Sequence, residues 1–407
     1  MRLPSNINLK RSATVLLTWM LLLACSLFPI GLRTSETATE PPPGAATVAP
    51  VDGSGYAVNP RTEDSSAGPF SLEIRDSYPL DVANGVIGQS LTASPGKVWI
   101  GTLIGTIQEL DSQSGAFGQS IALPGGGSTA NIYPVMKLGF DGQTIWALAQ
   151  KFSGNADGLF AIDPGSGMVA HEWDLTQWNL DHPEERRGTA IDFGLSPGKI
   201  WLKNQVVDTQ TFEAKYVGFV GAPQFAYDGQ GWMWMVGSGP PDCDGLDFIN
   251  TDDPSQDLYQ CRYPFLNRAG EGNSNVGSGS PLVLAGDRVW IGGVWSGNKA
   301  TYTLEAFTAD VDQLMKETKP LASVPLLDDP KKIKLLYAGN YLWLLWLRGE
   351  EAGFLYQLDP QTGVAINSLD LGGDQGTVIT NDPMDLASEG DNLWVLTTGQ
   401  LLRIKLP

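Results

Sequence analysis

The clearest pattern along the chain is a tryptophan held between apolar residues, which recurs at roughly even intervals. Turns rich in glycine and polar residues separate these triplets from short runs of alternating apolar and polar residues, and such alternation predicts β-strands. The triplets are Val98-Trp99-Ile100, Ile145-Trp146-Ala147, Ile200-Trp201-Leu202, Trp232-Met233-Trp234, Val289-Trp290-Ile291, Leu342-Trp343-Leu344 and Leu393-Trp394-Val395. Seven copies of one β unit therefore predict a repeat protein.

Most units are about 50 residues long, and each is expected to contain four strands. In the first full unit the strands are predicted near Gln89–Thr92, Lys97–Leu103, Thr106–Leu110 and Gly118–Leu123. This period and strand number are typical of a β-propeller blade. We therefore predict an all-β fold, a seven-bladed β-propeller of four-stranded antiparallel blades, over residues 70–407. The short spacing from Trp201 to Trp234, 33 residues, predicts a compact third unit with tight loops.

The two ends of the predicted ring complement each other. The last unit stops after three predicted strands, whereas the segment Phe70–Arg75 is a spare strand before the first unit. Pairing the two removes an exposed sheet edge. We therefore predict that strand 70–75 closes the ring by joining the C-terminal blade.

Aspartate turns follow the third strand in several units, at Asp111, Asp163 and Asp359. An aspartate at the start of a turn accepts hydrogen bonds from backbone N–H groups further on, and a following glycine adopts the left-handed conformation. We interpret these aspartates as turn residues and not as ligands. The seven tryptophans are likewise interpreted as packing residues between sheets.

The segment Lys97–Gly115, with Val-Trp-x-Gly followed by a second glycine, Leu-Asp and a third glycine, resembles repeats of bacterial propellers of the PQQ-like, YVTN and streptogramin-lyase-like groups. The resemblance covers roughly residues 70–407 and implies the fold, since these repeats are structural. Lyase-like members use histidine, acidic residues and magnesium at the central face. This chain has only His171 and His182, in an outer-strand and a loop context. Lipid-anchored propellers that act as scaffolds are the closer analogy, and no catalytic residues are expected.

The N-terminal segment, residues 1–33, predicts a signal peptide or membrane anchor, because basic residues precede the apolar run 12–32. The sequence Leu22–Cys25 resembles a lipobox, in which Cys25 would be lipidated. The apolar run is also long enough to remain as a transmembrane helix, and a cleaved, secreted form is the third alternative. Residues 34–69, rich in proline, threonine and serine, predict a disordered linker. We thus expect an exported domain anchored to the cell membrane.

Charge and cysteine content narrow the function classes. The net charge of −19 disfavours nucleic acid as a partner, because phosphate would be repelled. The membrane is expected to be contacted through the N-terminal anchor only. Cys243 and Cys261 are the two cysteines of the exported domain, and they most simply form a disulfide; two free thiols are the alternative.

Candidate chemistry lies where the units differ. The insertion 237–263 carries Asp242, Asp244 and Asp247, which could ligate calcium or could form an ordinary acidic surface loop. No other cofactor is indicated. The loops after the tryptophan strands are expected to border the central channel on one face of the ring. Their mixed cationic and aromatic residues suit a polar or acidic partner: Lys151, Phe152, Trp295, Lys299 and Arg348.

Together these observations favour a non-catalytic, membrane-anchored extracytoplasmic propeller that binds a protein or glycan partner through one ring face. The alternative is a metal-assisted propeller lyase or hydrolase. Three or more carboxylates converging in the central channel would favour that alternative. No P-loop, G-x-S-x-G or H-E-x-x-H motif supports a further enzyme class.

Overall fold

The computed structural model describes most of the predicted propeller. The described residues are 72–127, 133–150, 157–175, 192–202, 205–217, 224–239, 243–253, 263–264, 274–276, 280–296, 301–314, 316, 320–326, 330–348, 352–371 and 383–407. The predicted signal or anchor and the predicted linker lie outside these ranges. Within the ranges, no helix has the length and apolar character needed to span a membrane.

Strands dominate the described residues, as the alternating pattern predicts. The strands, in chain order, are β1 Ile74–Pro79, β2 Gly88–Ser94, β3 Lys97–Thr102, β4 Thr106–Asp111, β5 Phe117–Ala122, β6 Val135–Phe140, β7 Ile145–Gln150, β8 Asp157–Ile162, β9 Val169–Asp174, β10 Gly194–Ser196, β11 Lys199–Trp201, β12 Gln205–Asp208, β13 Ala214–Tyr216, β14 Gln224–Tyr227, β15 Trp232–Gly239, β16 Cys243–Asn250, β17 Tyr263–Pro264, β18 Ser274–Val276, β19 Leu282–Ala285, β20 Arg288–Ser296, β21 Thr301–Thr308, β22 Ala322–Leu326, β23 Pro330–Ala338, β24 Tyr341–Arg348, β25 Ala352–Leu358, β26 Ala365–Asp370, β27 Pro383–Glu389, β28 Asn392–Thr397 and β29 Gln400–Lys405. Two short helical segments are described, Val82–Asn84 (3₁₀) and Val311–Leu314 (α).

These strands form seven antiparallel sheets, which confirms the predicted seven-bladed propeller. Blades 1 to 4 are β2–β5, β6–β9, β10–β13 and β14–β17. Blade 5 is β18–β22, in which β18 and β19 pair with different halves of β20 and together form the inner strand. Blade 6 is β23–β26, and blade 7 is β27–β29 with β1. The strands of blade 3, the unit with the short spacing, are three or four residues long.

The first strand of each blade lies innermost, where β2, β6, β10, β14, β19, β23 and β27 surround the central channel. Because neighbouring strands run in opposite directions, the connections fall on two faces. The turns between first and second strands, and between third and fourth strands, form what we call the turn face. The connections between second and third strands, and those between blades, form the loop face.

The ring closes as predicted, by pairing of the N-terminal strand with the last C-terminal strand. β1 runs antiparallel to β29, with Ile74 opposite Ile404 and Pro79 opposite Gln400. The closing strand is therefore 74–79, slightly later than the predicted 70–75. This pairing covers the outer edge of β29, which would otherwise be unpaired.

The seven repeated tryptophans are all buried, with at most 2 % of their surface exposed. Several also fasten the turn that precedes them. The indole N–H groups of Trp99, Trp146 and Trp201 donate to side chains five residues earlier, and the indole of Trp343 donates to the Ala338 carbonyl. Packing is thus confirmed as their role, and a turn-stabilising hydrogen bond accompanies it.

The aspartate turns also form as predicted. In each, one carboxylate oxygen accepts the backbone N–H groups two and three residues on, as at Asp163, where the distances are 2.8 and 2.6 Å. These N–H donors hold the pKa values of Asp111, Asp163 and Asp208 below the ordinary value. Asp208 is a fourth such turn, in blade 3, where Phe212 takes the left-handed position (φ 58°) that glycine holds elsewhere.

Candidate binding site in the central channel

The structure describes the partner-binding residues predicted from sequence only in part. Trp295 and Arg348 stand near and at the ends of the second strands of blades 5 and 6, which reach that face, and only their backbone is described. Lys151, Phe152 and Lys299 lie outside the described residues. Their role in binding stays a prediction.

Three of the predicted calcium and disulfide residues belong to β16. Asp244 and Asp247 are in this strand, and the Asp247 carboxylate accepts the N–H of Phe248 at 2.8 Å, whereas Asp242 lies outside the described residues. Cys243 begins the strand, but Cys261 is outside the described residues, so the disulfide stays a prediction. Within the described ranges, no three His, Cys, Asp or Glu side chains converge as metal ligands would.

His171 lies on the outer strand of blade 2, away from the channel, and its ring stacks on Phe212 of blade 3 with centroids 3.7 Å apart. This contact explains why a bulky residue occupies the left-handed turn position in blade 3. His182 lies outside the described residues. The described histidine therefore packs between blades, in agreement with its predicted outer-strand context.

The channel wall carries a set of charged residues that sequence reasoning missed. Two ion pairs join neighbouring blades at or next to their inner strands: Lys137 to Asp192 at 3.2 Å, and Lys334 to Asp385 at 3.8 Å. All four residues stand nine positions before the tryptophan of their own unit. The repeat therefore places them at one level of the ring, in blades 2, 3, 6 and 7. In blade 1 the same position is Ser90, whose hydroxyl donates to the Val135 carbonyl at 2.7 Å.

The two carboxylates are deeply buried and hydrogen-bonded, whereas the two lysines reach solvent. Asp192 is 6 % exposed and accepts the N–H of Phe193 at 2.7 Å. Asp385 is 10 % exposed and accepts the N–H of Leu91, on the inner strand of blade 1, at 2.9 Å. The side chains of Lys137 and Lys334 are 30 % and 29 % exposed. The lysine side chains are thus the more accessible part of this layer.

Electrostatics favour the charged form of Lys137. Burial lowers the pKa of the Lys137 ammonium, but the carboxylates of Asp192 and Asp385 raise it further, and the net pKa lies above the ordinary value. Asp385 of blade 7 thus acts on lysines of blade 2 and blade 6. The arrangement can bind an acidic group, but each carboxylate is already neutralised, which leaves it poorly suited to act as a general base.

The spacing of these four residues along the sequence is a signal from which the layer could have been found. Each of the four residues interrupts an apolar strand, and each stands at a fixed distance before the repeated tryptophan. Aligning the units on their tryptophans would have brought the charges into one column. The alternation in each strand alone does not reveal them, because the partners lie in different units.

Comparison with known proteins identifies the architecture and not a family. The β-propeller domain of Cps50 (Swd1) from Myceliophteria thermophila is similar to this chain with a TM-score of 0.54, covering 82 % of this chain and 100 % of that domain at 10 % identity. The likeness shows a shared fold. No family model and no curated protein matches the sequence. Membership of the PQQ-like, YVTN or lyase-like groups stays a prediction from the repeats.

Proposed function

We propose that this chain is a non-catalytic, extracytoplasmic propeller, held at the membrane by its N-terminal segment, that binds a protein or glycan partner through the loop face of the ring. The layer of charged residues in the channel wall is the observation that supports binding without catalysis. Its buried carboxylates, Asp192 and Asp385, are each compensated by a lysine and by a backbone N–H. Such a layer leaves the lysine sides of two ion pairs as the more accessible groups, and these can interact with a polar or acidic partner.

The loop face carries connections of variable length. On the turn face, the turns between first and second strands are short in every blade, whereas the connections between blades, on the loop face, differ in length from unit to unit. Loops of variable length on a rigid scaffold commonly supply recognition. The inner strands also begin on this face, so the lysine layer lies behind its mouth.

The partner is proposed to be acidic or polar. Lys151, Lys299 and Arg348 in the loops, with Lys137 and Lys334 in the channel wall, place cations on one side of a strongly acidic protein. A protein partner is favoured over a glycan because carboxylates recognise such cations by charge-assisted hydrogen bonds, which neutral sugars cannot form.

Capture from membranes tests the binding face. The tagged full chain would be crosslinked, purified and compared with the double variant Lys151→Ala, Lys299→Ala, and with a control, Lys405→Ala, an exposed cation on the turn face. We expect the double variant to lose at least 80 % of one captured protein and the control to keep it. Equal capture by all three forms would refute the loop face as the binding surface, and loss only after glycosidase treatment would identify a glycan.

Anchoring has a separate test. If Cys25 is lipidated, Cys25→Ala should abolish incorporation of labelled fatty acid and leave an uncleaved precursor. An unchanged mature mass together with membrane retention would favour the transmembrane alternative. Release of the variant into the medium would favour the secreted form.

A further inference from the structure

Cations bridge neighbouring blades at an equivalent place on the turn face. Lys97 of blade 1 donates to the Pro164 carbonyl of blade 2 at 3.2 Å, and Lys199 of blade 3 donates to the Thr251 carbonyl of blade 4. Arg403 of blade 7 donates to the Ser112 carbonyl of blade 1 at 2.8 Å. Arg288 of blade 5 donates to Gln361 in the corresponding turn of blade 6 at 2.9 Å. The acceptor carbonyls follow the residue that begins the turn between third and fourth strands.

At the other interfaces, aromatic residues or a small side chain take the place of the cation. Lys97, Lys199 and Arg288 stand two residues before the repeated tryptophan; the same position is Trp232 in blade 4 and Tyr341 in blade 6. Both aromatic rings pack into the apolar cores between blades. In blade 2 the position is Thr144, which is too short to reach the neighbouring turn.

A cleft of about 540 Å³ opens at this interface between blades 2 and 3. Its volume is in the range of small-ligand sites, about 300–1,000 Å³. It is lined by Asp141, Thr144, Pro197, Thr209 and Tyr227, among others. Thr209 follows Asp208 in the turn of blade 3, so its carbonyl corresponds to the acceptors at Pro164, Thr251 and Ser112. Among the described residues, none donates a hydrogen bond to this carbonyl.

The cleft also carries an uncompensated negative charge. The Asp141 carboxylate accepts N–H groups from Gln143, Thr144 and the Trp146 indole at 2.7–2.9 Å, and no cationic side chain of the described residues pairs with it. Tyr227 adds an aromatic surface, on which a cation and its aliphatic stem can pack. The negative charge, the carbonyl acceptor and the aromatic surface of this cleft together complement a basic side chain.

We propose that this cleft binds a lysine or arginine side chain of a partner protein, which takes the place that Lys97, Lys199 and Arg288 occupy at other interfaces. The ammonium or guanidinium group lies between the Asp141 carboxylate and the Thr209 carbonyl. Its stem lies along Pro197 and Tyr227. The site is on the turn face, so its test is independent of the loop-face proposal.

Fluorine NMR of the full chain, with trifluoromethyl-phenylalanine introduced at the exposed position Gln210 beside the cleft, provides the test. The probes are N-acetyl-arginine amide and its neutral isostere, N-acetyl-citrulline amide. We expect a saturable shift with the arginine probe and at least fivefold weaker binding of the citrulline probe. In Thr144→Lys the introduced ammonium group would occupy the cleft itself, so this variant should bind the arginine probe at least tenfold more weakly.

Thr144→Val is the matched control, because it keeps the shape of the side chain and adds no charge; it should bind the arginine probe as the unmodified chain does. Equal affinity for arginine and citrulline would overturn the proposal, as would undiminished arginine binding by Thr144→Lys. Loss of binding in Thr144→Val would also overturn it, because the weaker binding of Thr144→Lys could then not be assigned to the added cation.

Discussion

Arg403 joins three parts of the chain at the ring closure, and its replacement by methionine is the sharpest test of how the ring is held. Its guanidinium pairs with Asp76 on β1 through two nitrogens, one at 2.7 Å, and donates to the Ser112 carbonyl of blade 1 at 2.8 Å. It also lies 5.7 Å from the ring centre of Trp394 in its own blade. Arg403→Met keeps the aliphatic stem on this indole and removes all three hydrogen bonds.

The magnitude follows from the exposure of each partner. The Asp76 side chain is 37 % exposed, so solvent screens the ion pair, which is expected to contribute about 0.5–1 kcal/mol. Arg403 is 14 % exposed, and its charged hydrogen bond to the Ser112 carbonyl is expected to contribute about 1.5–2 kcal/mol. Losing the cation over the indole adds about 0.5 kcal/mol. The total is about 3 kcal/mol, or about 4 °C for a domain of this size.

Thermal unfolding of the full chain in detergent solution, followed by tryptophan fluorescence, measures the effect because the repeated indoles are buried. Arg403→Lys should recover only part of the loss, since one ammonium cannot reach both acceptors. A double-mutant cycle with Asp76→Asn should give a coupling of about 0.5–1 kcal/mol. A melting temperature within 1 °C of the unmodified chain for Arg403→Met, or a coupling near zero, would refute this account of the closure.

Three further predictions concern the blades and the channel. Gly363→Ala should destabilise the fold by about 2–4 kcal/mol, since its Cβ would lie 2.6 Å from an indole carbon of the preceding blade, whereas Gly96→Ala, at a similar φ in open space, should lose only about 1 kcal/mol by urea unfolding. Lys137→Met should lose about 2 kcal/mol at pH 7, because Asp192 stays buried and unpaired. The raised pKa of Lys137 stabilises the fold fully at pH values below 10.5, the ordinary pKa of lysine, and this contribution disappears as pH rises through the raised pKa; the difference from Lys137→Met should therefore shrink as pH rises beyond 10.5 in alkaline unfolding curves. The lowered pKa of Asp163 gives stability that is present above its ordinary value of 3.8 and lost as pH falls through the lowered value, so Asp163→Asn, which keeps the turn acceptor, should unfold less steeply below pH 4.

The fold could be predicted because its determinants repeat locally. Every unit carries a buried tryptophan and a glycine turn within a few residues, so seven weak signals reinforce one another. The closing strand was predictable for a different reason: a missing strand at one end and a spare strand at the other fit only one arrangement. Among the described residues, the pairing begins with Ile74 opposite Ile404, which gives the strand the bounds 74–79.

The candidate sites could not be predicted in the same way, because they depend on contacts between units. Lys137 and Asp192 stand in different blades, and the polar–apolar alternation of either strand gives no reason to join them. The cleft at Thr144 is the space that this short side chain leaves unfilled next to blade 3, and its existence depends on how the two blades pack. The residue types in the loops suggest binding, but the loops do not repeat from unit to unit, so the sequence gives no register from which the positions of these side chains follow.

The central claim, that the loop face is the binding surface, is tested most directly by site-specific photocrosslinking in cells. Benzoyl-phenylalanine would be placed at positions 151 and 299 on the loop face, and at positions 113 and 405 on the turn face, in the full chain. The account predicts one common adduct from both loop-face positions and none from the two turn-face positions. Adducts confined to positions 113 and 405, or of equal yield on both faces, would contradict it.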